Sequence, residues 1–361
     1  MTIIAVYDHY GCKAIVADTL ITGLRSQNGK RSIIPTLGDV SDFFGDDWGI
    51  QPPAQKIFLI GDYCAIAWAG KMIVAQYFIT RIRRLSRRIR ITKNIIERML
   101  KKADEKSAVS IVAALIENGK LIHFGIECET ISNAFLGDVF YAGTGGEAIR
   151  DYDKIVKIFN ISKPTMLDVP AQTVAICLTQ VAHLMHAEAR QGDASNSLRD
   201  FFGGGYEIAV FYGGEVHKIS ASFIFLEFEI VDGYIEISHP FMIINQGYDG
   251  EILIFETIKL NFEEKIETHH KIQVSDSFNN KGSSLGEIRG GQNWACFVFL
   301  EKNQLKDEGS MISTTIKSED IPFAFHTNRS EICYFYSKGA EAHIKEFLLS
   351  NILIKQNSKN L

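Results

Sequence analysis

Threonine at position 2 carries two groups that together could cleave an amide bond once residue 1 is removed. A Met-Thr start is one from which the methionine is normally trimmed. Thr2 would then hold a free α-amine beside its own hydroxyl, which pairs a nucleophile with a base. An α-amine has a reference pKa of about 7.7–8.0, so much of it is neutral near neutral pH, as a base must be. Many proteins begin with Met-Thr, so the expectation depends on the residues that follow.

Two short apolar segments after Thr2 predict a hairpin. Residues 2–7 and 13–18 flank the polar turn 8–12, in which Gly11 suits a tight reversal. Asp18 ends the second segment sixteen residues after Thr2. Its carboxylate either serves Thr2 or is an ordinary turn residue at the end of a strand.

A second predicted strand pair, 55–60 and 63–70, flanks the turn Gly61-Asp62. Lys56 enters the first strand, as a solvated flank or as a catalytic cation. Gly70 ends the second strand, where apolar residues at spacings of three and four predict a helix over 71–90. Glycine at such a junction lets the backbone approach a ligand closely, and the helix N-terminus favours negative charge.

Two glycine-rich segments adjoin later elements. Residues 143–146 follow a predicted strand and open a helix, and residues 199–205 precede the apolar strand 206–211. The spacing Gly143-x-Gly145-x-x-Ala148 superficially matches a dinucleotide fingerprint. The preceding elements read as antiparallel hairpins and not as a βαβ unit, so we expect no dinucleotide and no other cofactor.

Four separated motifs over residues 2–218 resemble, in order, those of proteasome β-subunits and the bacterial HslV-type peptidase. They are the Thr2 hairpin with Asp18-Thr19-x-x-Thr22, the Lys56 strand pair ending in Ala69-Gly70, the Gly-Thr-Gly around Thr144, and Arg199-Asp200 with its following glycines. The resemblance implies an N-terminal-nucleophile hydrolase with a four-layer αββα sandwich. It also implies a threonine-type peptidase that acts on a peptide or protein substrate, forms a homo-oligomer such as a ring, and is served by an ATP-dependent unfoldase.

The resemblance also assigns roles to single residues. Thr2 would attack, Lys56 and Asp18 would set the charge around its hydroxyl, and the Gly70 N–H would hold the oxyanion. Asp200 and the hydroxyl of Thr144 would support the terminal amine. The expected catalytic residues are Thr2, Asp18, Lys56, Gly70, Thr144 and Asp200, and the expected substrate-binding residues are Thr22, Trp68 and Gly203.

Three of these positions depart from the family or admit a second reading. Thr144 replaces a serine but keeps the hydroxyl. Gly203 also stands where the family has serine, so one member of the network around the amine is absent. Trp68 falls on a wall of the primary specificity pocket, where its indole would leave a shallow pocket; otherwise the ring belongs to the core.

The family pattern ends near residue 218, so we predict an α+β protein of two domains. Residues 1–218 would form the hydrolase domain, with an insertion over 23–55 that is either a lid or a surface excursion. Residues 219–361 would form a smaller β-rich domain that ends in an amphipathic helix over 342–354. Its sequence leaves a substrate-binding, docking or regulatory role open.

Composition narrows the classes of protein. Hydrophobic residues make up 46% of the 361 residues and charged residues 22%, which is typical of a globular protein. The net charge of −5 gives no reason to expect nucleic-acid binding, and six cysteines without C-x-x-C spacing favour a reducing compartment. Since no signal peptide or long apolar run is evident, we expect a cytoplasmic protein that binds no membrane.

Two local features and the reaction itself keep alternatives open. The basic run 81–90 either meets an acidic partner or nucleic acid, or is a solvated or subunit-contacting helix face. His183 and His186 lie three apart on a predicted helix, but no third ligand is placed, so no metal site is expected. The alternatives to a peptidase are a proteasome-like transpeptidase or ligase, and a catalytically silent ring or scaffold subunit.

Overall fold

A computed structural model describes most of the chain and divides it into two units. The described residues are 2–24, 31–43, 48–103, 108–133, 136–158, 169–192, 195–231, 234–261, 263–274, 293–302, 311–317, 322–328 and 331–359. The first unit holds the described residues up to Ile219 together with Val274, and the second holds those from Ser220 to Gln273 and from residue 293 onward. The division after Ile219 lies one residue from the predicted boundary. The chain is mixed α+β.

The first unit contains two main sheets and five helices among its described residues. Its strands are β1 (Ile4–His9), β2 (Cys12–Asp18), β3 (Ile21–Leu24), β4 (Ile33–Ile34), β5 (Gly38–Asp39), β6 (Trp48–Gln51), β7 (Ile57–Ile60), β8 (Cys64–Gly70), β9 (Val109–Glu117), β10 (Lys120–Ile126), β11 (Glu129–Asn133), β12 (Gly137–Ala142), β13 (Tyr206–Tyr212) and β14 (Glu215–Lys218). Its helices are α1 (Met72–Ser86), α2 (Lys93–Ala103), α3 (Gly146–Ile158), α4 (Val169–Gln191) and α5 (Asn196–Arg199).

The first sheet is built around the predicted N-terminal hairpin. Its strand order is β11-β12-β1-β2-β13-β14. Strands β1 and β2 pair from Ile4 opposite Ala17 to His9 opposite Cys12, so the turn contains only Tyr10 and Gly11. Both turn residues have positive φ, 47° and 93°, as the right-handed twist of a two-residue hairpin requires. This register brings Asp18 opposite Ile3, beside Thr2.

The second sheet has the order β10-β9-β8-β7 and shares a core with the first sheet. One cluster of buried side chains includes Ile4 and Ile15 of the first sheet and Ile57, Ala67 and Val112 of the second. Small alanines recur on the β8 and β9 side of this cluster. Strands buried on both faces read as continuous apolar runs, which is what the sequences of β2 and β8 show.

Helices cover the outer faces of both sheets. Helix α1 buries Ala75, Phe78, Ile79 and Ile82, spaced three or four apart, in a cluster with apolar residues of β7, β8, β9 and α2. Helix α4 packs against β2 and β13 of the first sheet. The helix predicted over 71–90 ends at Ser86, and the predicted helix that carries His183 and His186 runs from Val169 to Gln191.

Part of the insertion predicted over 23–55 forms short strands. Strand β3 pairs with β6, with Thr22 opposite Ile50, and β4 pairs with β5. A small core of Leu20, Ile34, Val40, Ile50 and Leu198 is formed here. Residues 25–30 and 44–47 of the insertion lie outside the described residues.

The second unit is β-rich and carries a C-terminal helix. Its elements are β15 (Ala221–Val231), β16 (Tyr234–Asp249), β17 (Ile252–Leu260), β18 (Ile266–Val274), β19 (Trp294–Glu301), β20 (Met311–Lys317), β21 (Phe323–Asn328), β22 (Glu331–Tyr336) and α6 (Lys338–Lys359). Six of the strands form one sheet of order β18-β17-β16-β15-β19-β20, in which β15 and β19 run parallel. Ile344 and Leu348 of α6 are buried in a cluster with Phe297 and Phe323.

The described part of the chain contains no helix with the length and apolarity that crossing a bilayer requires.

Candidate active site

The hydroxyl of Thr2 contacts the carboxylate of Asp18. Thr2 Oγ1 donates a hydrogen bond to Asp18 Oδ1, and the amide of the next residue, Ile3, donates to the same oxygen over 3.0 Å. The Asp18 amide in turn donates to the Ile3 carbonyl over 3.1 Å. The hairpin register therefore turns a separation of sixteen residues into direct contact.

Lys56 completes a cluster of three side chains. Its Nζ donates to Thr2 Oγ1, to Asp18 Oδ1 over 2.6 Å and to the Leu20 carbonyl over 2.7 Å. Thr2, Asp18 and Lys56 are 1%, 0% and 1% exposed. Burial lowers the pKa of the Lys56 ammonium below its ordinary value, and the nearby Asp18 carboxylate opposes this shift.

A glycine-rich turn holds the second oxygen of Asp18. The Gly203 amide donates to Asp18 Oδ2 over 3.0 Å, and the Gly203 carbonyl accepts from the Leu20 amide over 3.1 Å. The carboxylate of Asp18 thus accepts from four donors: Thr2, Ile3, Lys56 and Gly203. A buried carboxyl group needs hydrogen-bond partners, and both oxygens of Asp18 have them.

Comparison with protein-family models gives no match, and comparison with curated protein sequences gives none either. The resemblance to proteasome β-subunits therefore depends on the sequence motifs of this chain alone.

Gly70 and Thr144 lie on exposed segments of the first unit. Gly70 has a φ of 109°, and a Cβ atom there would overlap the Ala108 carbonyl oxygen, so only glycine suits the position. Helix α1 begins two residues later without a side-chain cap on its first turn. Near Thr144, the amide of Gly145 donates to the Thr2 carbonyl over 3.1 Å. The main chain of this loop, and not the Thr144 hydroxyl, makes the contact with Thr2 that the structure describes.

Asp200 does not join the cluster in the part of the chain that is described. Its side chain is exposed, and its amide donates to the Asn196 carbonyl over 2.8 Å, so it belongs to the last turn of α5. The buried residue of that short helix is Leu198, which turns Asp200 toward solvent. The expected support of the Thr2 amine by Asp200 stays a prediction, because the α-nitrogen of Thr2 is an amide while residue 1 is attached.

Trp68 and Thr22 occupy different environments. Trp68 is 2% exposed and belongs to the core cluster that includes Phe78 and Ile79 of α1, which corresponds to the second of its two sequence interpretations. Thr22 is half-buried on β3, which pairs with β6 along one edge among the described strands. Its other edge carries backbone groups that could pair with an extended peptide.

Sequence reasoning missed Glu207, which positions the main chain of Lys56. The carboxylate of Glu207 is fully buried, and its Oε2 accepts from the amides of Lys56 over 2.6 Å and Ile57 over 3.1 Å. Its Oε1 pairs with Lys218 Nζ at 2.9 Å. The signal was present, because Glu207 is the one charged residue in the otherwise apolar strand β13.

Glu188 on α4 is a second buried carboxyl that sequence reasoning missed. It accepts from the hydroxyls of Thr36 and Ser197 and from the Gly204 amide. Burial raises the pKa of Glu188 to about 7. A glutamate at a position that the helical period of α4 turns inward was the available signal.

The two histidines of α4 do not form a metal site in the described structure. Burial lowers the pKa of His183 and of His186 to about 4, so both rings are neutral near pH 7. Among the described residues, no three His, Cys, Asp or Glu side chains are grouped to hold a metal ion.

Proposed function

We propose that the chain is a threonine-type peptidase of the N-terminal-nucleophile class, active once the bond between Met1 and Thr2 is cleaved. The observation that carries this proposal is the Thr2 hydroxyl bonded to both Lys56 and Asp18 in a buried site. A threonine hydroxyl is a weak nucleophile and needs both a base and charge stabilisation. Lys56 supplies the cation, Asp18 orients it, and cleavage would supply the base.

We further propose that the first unit has the four-layer αββα arrangement of such hydrolases. Two features support this finer description. The two main sheets share one apolar core, and helices pack on the outer face of each sheet. Thr2 lies two residues before β1 of the first sheet, and the resemblance implies a nucleophile at the start of that strand.

In the proposed reaction, Thr2 Oγ1 attacks the carbonyl carbon of a peptide bond and the hydroxyl proton passes to the α-amine of Thr2. The carbonyl oxygen becomes an oxyanion, which the Gly70 N–H and the uncapped first turn of α1 stabilise. The C–N bond then breaks, the leaving amine takes the proton, and an ester on Thr2 remains. Water hydrolyses this ester and restores the hydroxyl, with the same amine as base.

The burial of the cluster strengthens the role assigned to Lys56. A cation acts on developing negative charge more strongly in a water-excluded site than in solvent. Cleavage before Thr2 is a requirement for a different reason. While residue 1 is attached, the α-nitrogen of Thr2 is an amide without basicity and cannot act as the base.

Two variants of Thr2 and the native chain, compared on fluorogenic peptides, test the proposal. We expect Thr2→Ala to lose activity by about 10³-fold or more, since the nucleophile is absent. Thr2→Ser keeps the hydroxyl and is expected to retain a measurable fraction of the rate. Equal, measurable rates for the native chain and Thr2→Ala would contradict Thr2 as the nucleophile, and no cleavage by either would leave a scaffold protein. A joined product that forms when an amine-bearing peptide is added would indicate transpeptidation.

A further inference from the structure

Glu188 is buried beside the threonine cluster and has no part in the mechanism proposed above. It is 0% exposed on α4. Its Oε1 accepts from the Thr36 hydroxyl, its Oε2 accepts from the Ser197 hydroxyl over 3.0 Å, and the Gly204 amide lies 3.2 Å from Oε2. The carboxyl thus ties α4 to the insertion, to α5 and to the glycine turn that follows α5.

The carboxyl of Glu188 occupies the space of an absent side chain. Gly203 has a φ of 115°, and a Cβ atom on it would overlap Glu188 Oε2. A serine at position 203, which the family resemblance predicts, would therefore collide with Glu188 in this structure. Glycine at position 203 leaves the space that the Glu188 carboxyl occupies. The side-chain oxygen next to the glycine turn therefore comes from Glu188.

The glycine turn connects Glu188 to the nucleophile. Glu188 holds the Gly204 amide, the neighbouring Gly203 amide donates to Asp18 Oδ2 over 3.0 Å, and Asp18 Oδ1 accepts from Thr2. A shift of the turn would remove one of the four donors on Asp18. It would also disturb the contact between Leu20 and the Gly203 carbonyl, and Leu20 itself accepts from Lys56.

We propose that Glu188 is a positioning residue of the threonine cluster. Its ionised carboxylate takes the place of the side chain missing at position 203 and holds the glycine turn against Asp18. Protonation of Glu188 removes a hydrogen-bond acceptor from this network and allows the glycine turn to move. The threonine cluster is therefore fully assembled only above the pH at which Glu188 ionises. This inference rests on the proposed peptidase function.

The groups around Glu188 determine the pH at which its carboxyl ionises. Burial and the negative charge of Asp18 raise its pKa, while the hydrogen bonds from Thr36, Gly204 and Ser197 lower it, and the balance is about 7. The phenol of Tyr206 also faces Glu188, and its own pKa is raised well above its ordinary value, so it stays neutral. Activity is therefore expected to fall as the pH drops through about 7.

The test compares pH profiles of kcat/KM between pH 5.5 and 9 for the native protein, Glu188→Gln and Ser197→Ala, with exposed Glu215→Gln as control. We expect Glu188→Gln to be slower by about tenfold at pH 8 and to lose the ionisation near pH 7, leaving only that of the Thr2 amine. We expect Ser197→Ala to move the midpoint to higher pH, because it removes a bond that lowers the Glu188 pKa. Glu215→Gln keeps the native profile.

An infrared measurement keeps this inference separate from the peptidase proposal. The C=O band of a buried protonated carboxyl should appear as the pH falls through about 7 in the native protein and be absent from Glu188→Gln. Native rate and profile in Glu188→Gln, or no midpoint shift in Ser197→Ala, would overturn the positioning role. If the native protein cleaves no peptide, the peptidase proposal fails instead. In that case the midpoint of the infrared titration alone decides whether Glu188 ionises near pH 7. A native protein in which no C=O band appears over this pH range would also overturn the inference.

Discussion

Replacing Lys56 by methionine tests the charge arrangement around Thr2. Methionine is similar in length, so it fills most of the space of the buried lysine stem and limits the cavity. The variant removes the ammonium that donates to Thr2 Oγ1 and to Asp18 Oδ1. It leaves Asp18 buried with three of its four donors: the Thr2 hydroxyl and the amides of Ile3 and Gly203.

The structure sets the expected loss of stability and the expected loss of activity in Lys56→Met. Removal of one partner from a buried ion pair costs about 3–5 kcal/mol of stability, and the three remaining donors favour the lower end, about 3 kcal/mol. Loss of one group that stabilises developing negative charge lowers the rate by about 10²–10³-fold. We therefore expect Lys56→Met to be folded, markedly destabilised and nearly inactive.

Lys13→Met is the matched control. Like Lys56, Lys13 is a buried lysine that pairs with an aspartate, in this case Asp8. It lies on β2 at the turn end of the hairpin, away from Thr2. The Asp8 side chain is 26% exposed and can be hydrated, so the loss is expected to be about 1 kcal/mol.

Urea denaturation measures the stability of both variants, and the rate of acylation by an activated peptide ester measures the chemistry. A Lys56→Met variant that is acylated at Thr2 as fast as Lys13→Met would refute the role assigned to Lys56.

Three further predictions concern the supporting residues. Gly203→Ala should be destabilised well beyond Gly213→Ala, because both carry positive φ but only the first would overlap a neighbour; equal melting temperatures would contradict this. Glu207→Gln should slow acylation by about tenfold, since it weakens the support of the Lys56 main chain, and an unchanged rate would leave Glu207 a purely structural residue. Since the folded pKa of Glu188 is raised from 4.5 to about 7, the folded state keeps a proton that the unfolded chain loses. Stability of the native protein should therefore fall by up to about 3 kcal/mol as pH rises through this window, and denaturation of Glu188→Gln should lack this component.

Local sequence patterns predicted the parts of the site that lie on regular elements. The N-terminal hairpin could be predicted because two apolar runs flank a glycine turn. Its turn was predicted over residues 8–12, whereas the strands pair up to His9 and Cys12 and leave a two-residue loop. The register that this loop sets brings Asp18 beside Thr2. Lys56 could be placed only through the resemblance, because its contact with Thr2 joins two sheets that no local pattern relates.

The supporting carboxyls were missed because their roles depend on tertiary packing. Glu188 and Glu207 read as ordinary charged residues of a helix and a strand until the partners from distant segments are known. For Asp200, a motif match fixed the position in the sequence but not the direction of the side chain, which is exposed at the end of α5.

In the second unit, short or irregular strands limited prediction. Strand β16 runs from Tyr234 past Pro240 to Asp249, although a proline within an apolar run argues against a continuous strand. Pro240 sits at an irregularity in the register with β15, where the lost backbone donor is tolerated.

Strand β11 of the first unit was missed because its residues are mostly polar and exposed. The polar stretch predicted over 275–291 lies outside the described residues.

The most direct test of the central claim is mass spectrometry of the purified protein after reaction with an acylating peptide electrophile. If Thr2 is the nucleophile, residue 1 is absent from the intact protein and a single adduct maps to the Thr2 hydroxyl. A protein that retains Met1, or that carries its adduct on another residue, would contradict the assignment of Thr2 as the nucleophile.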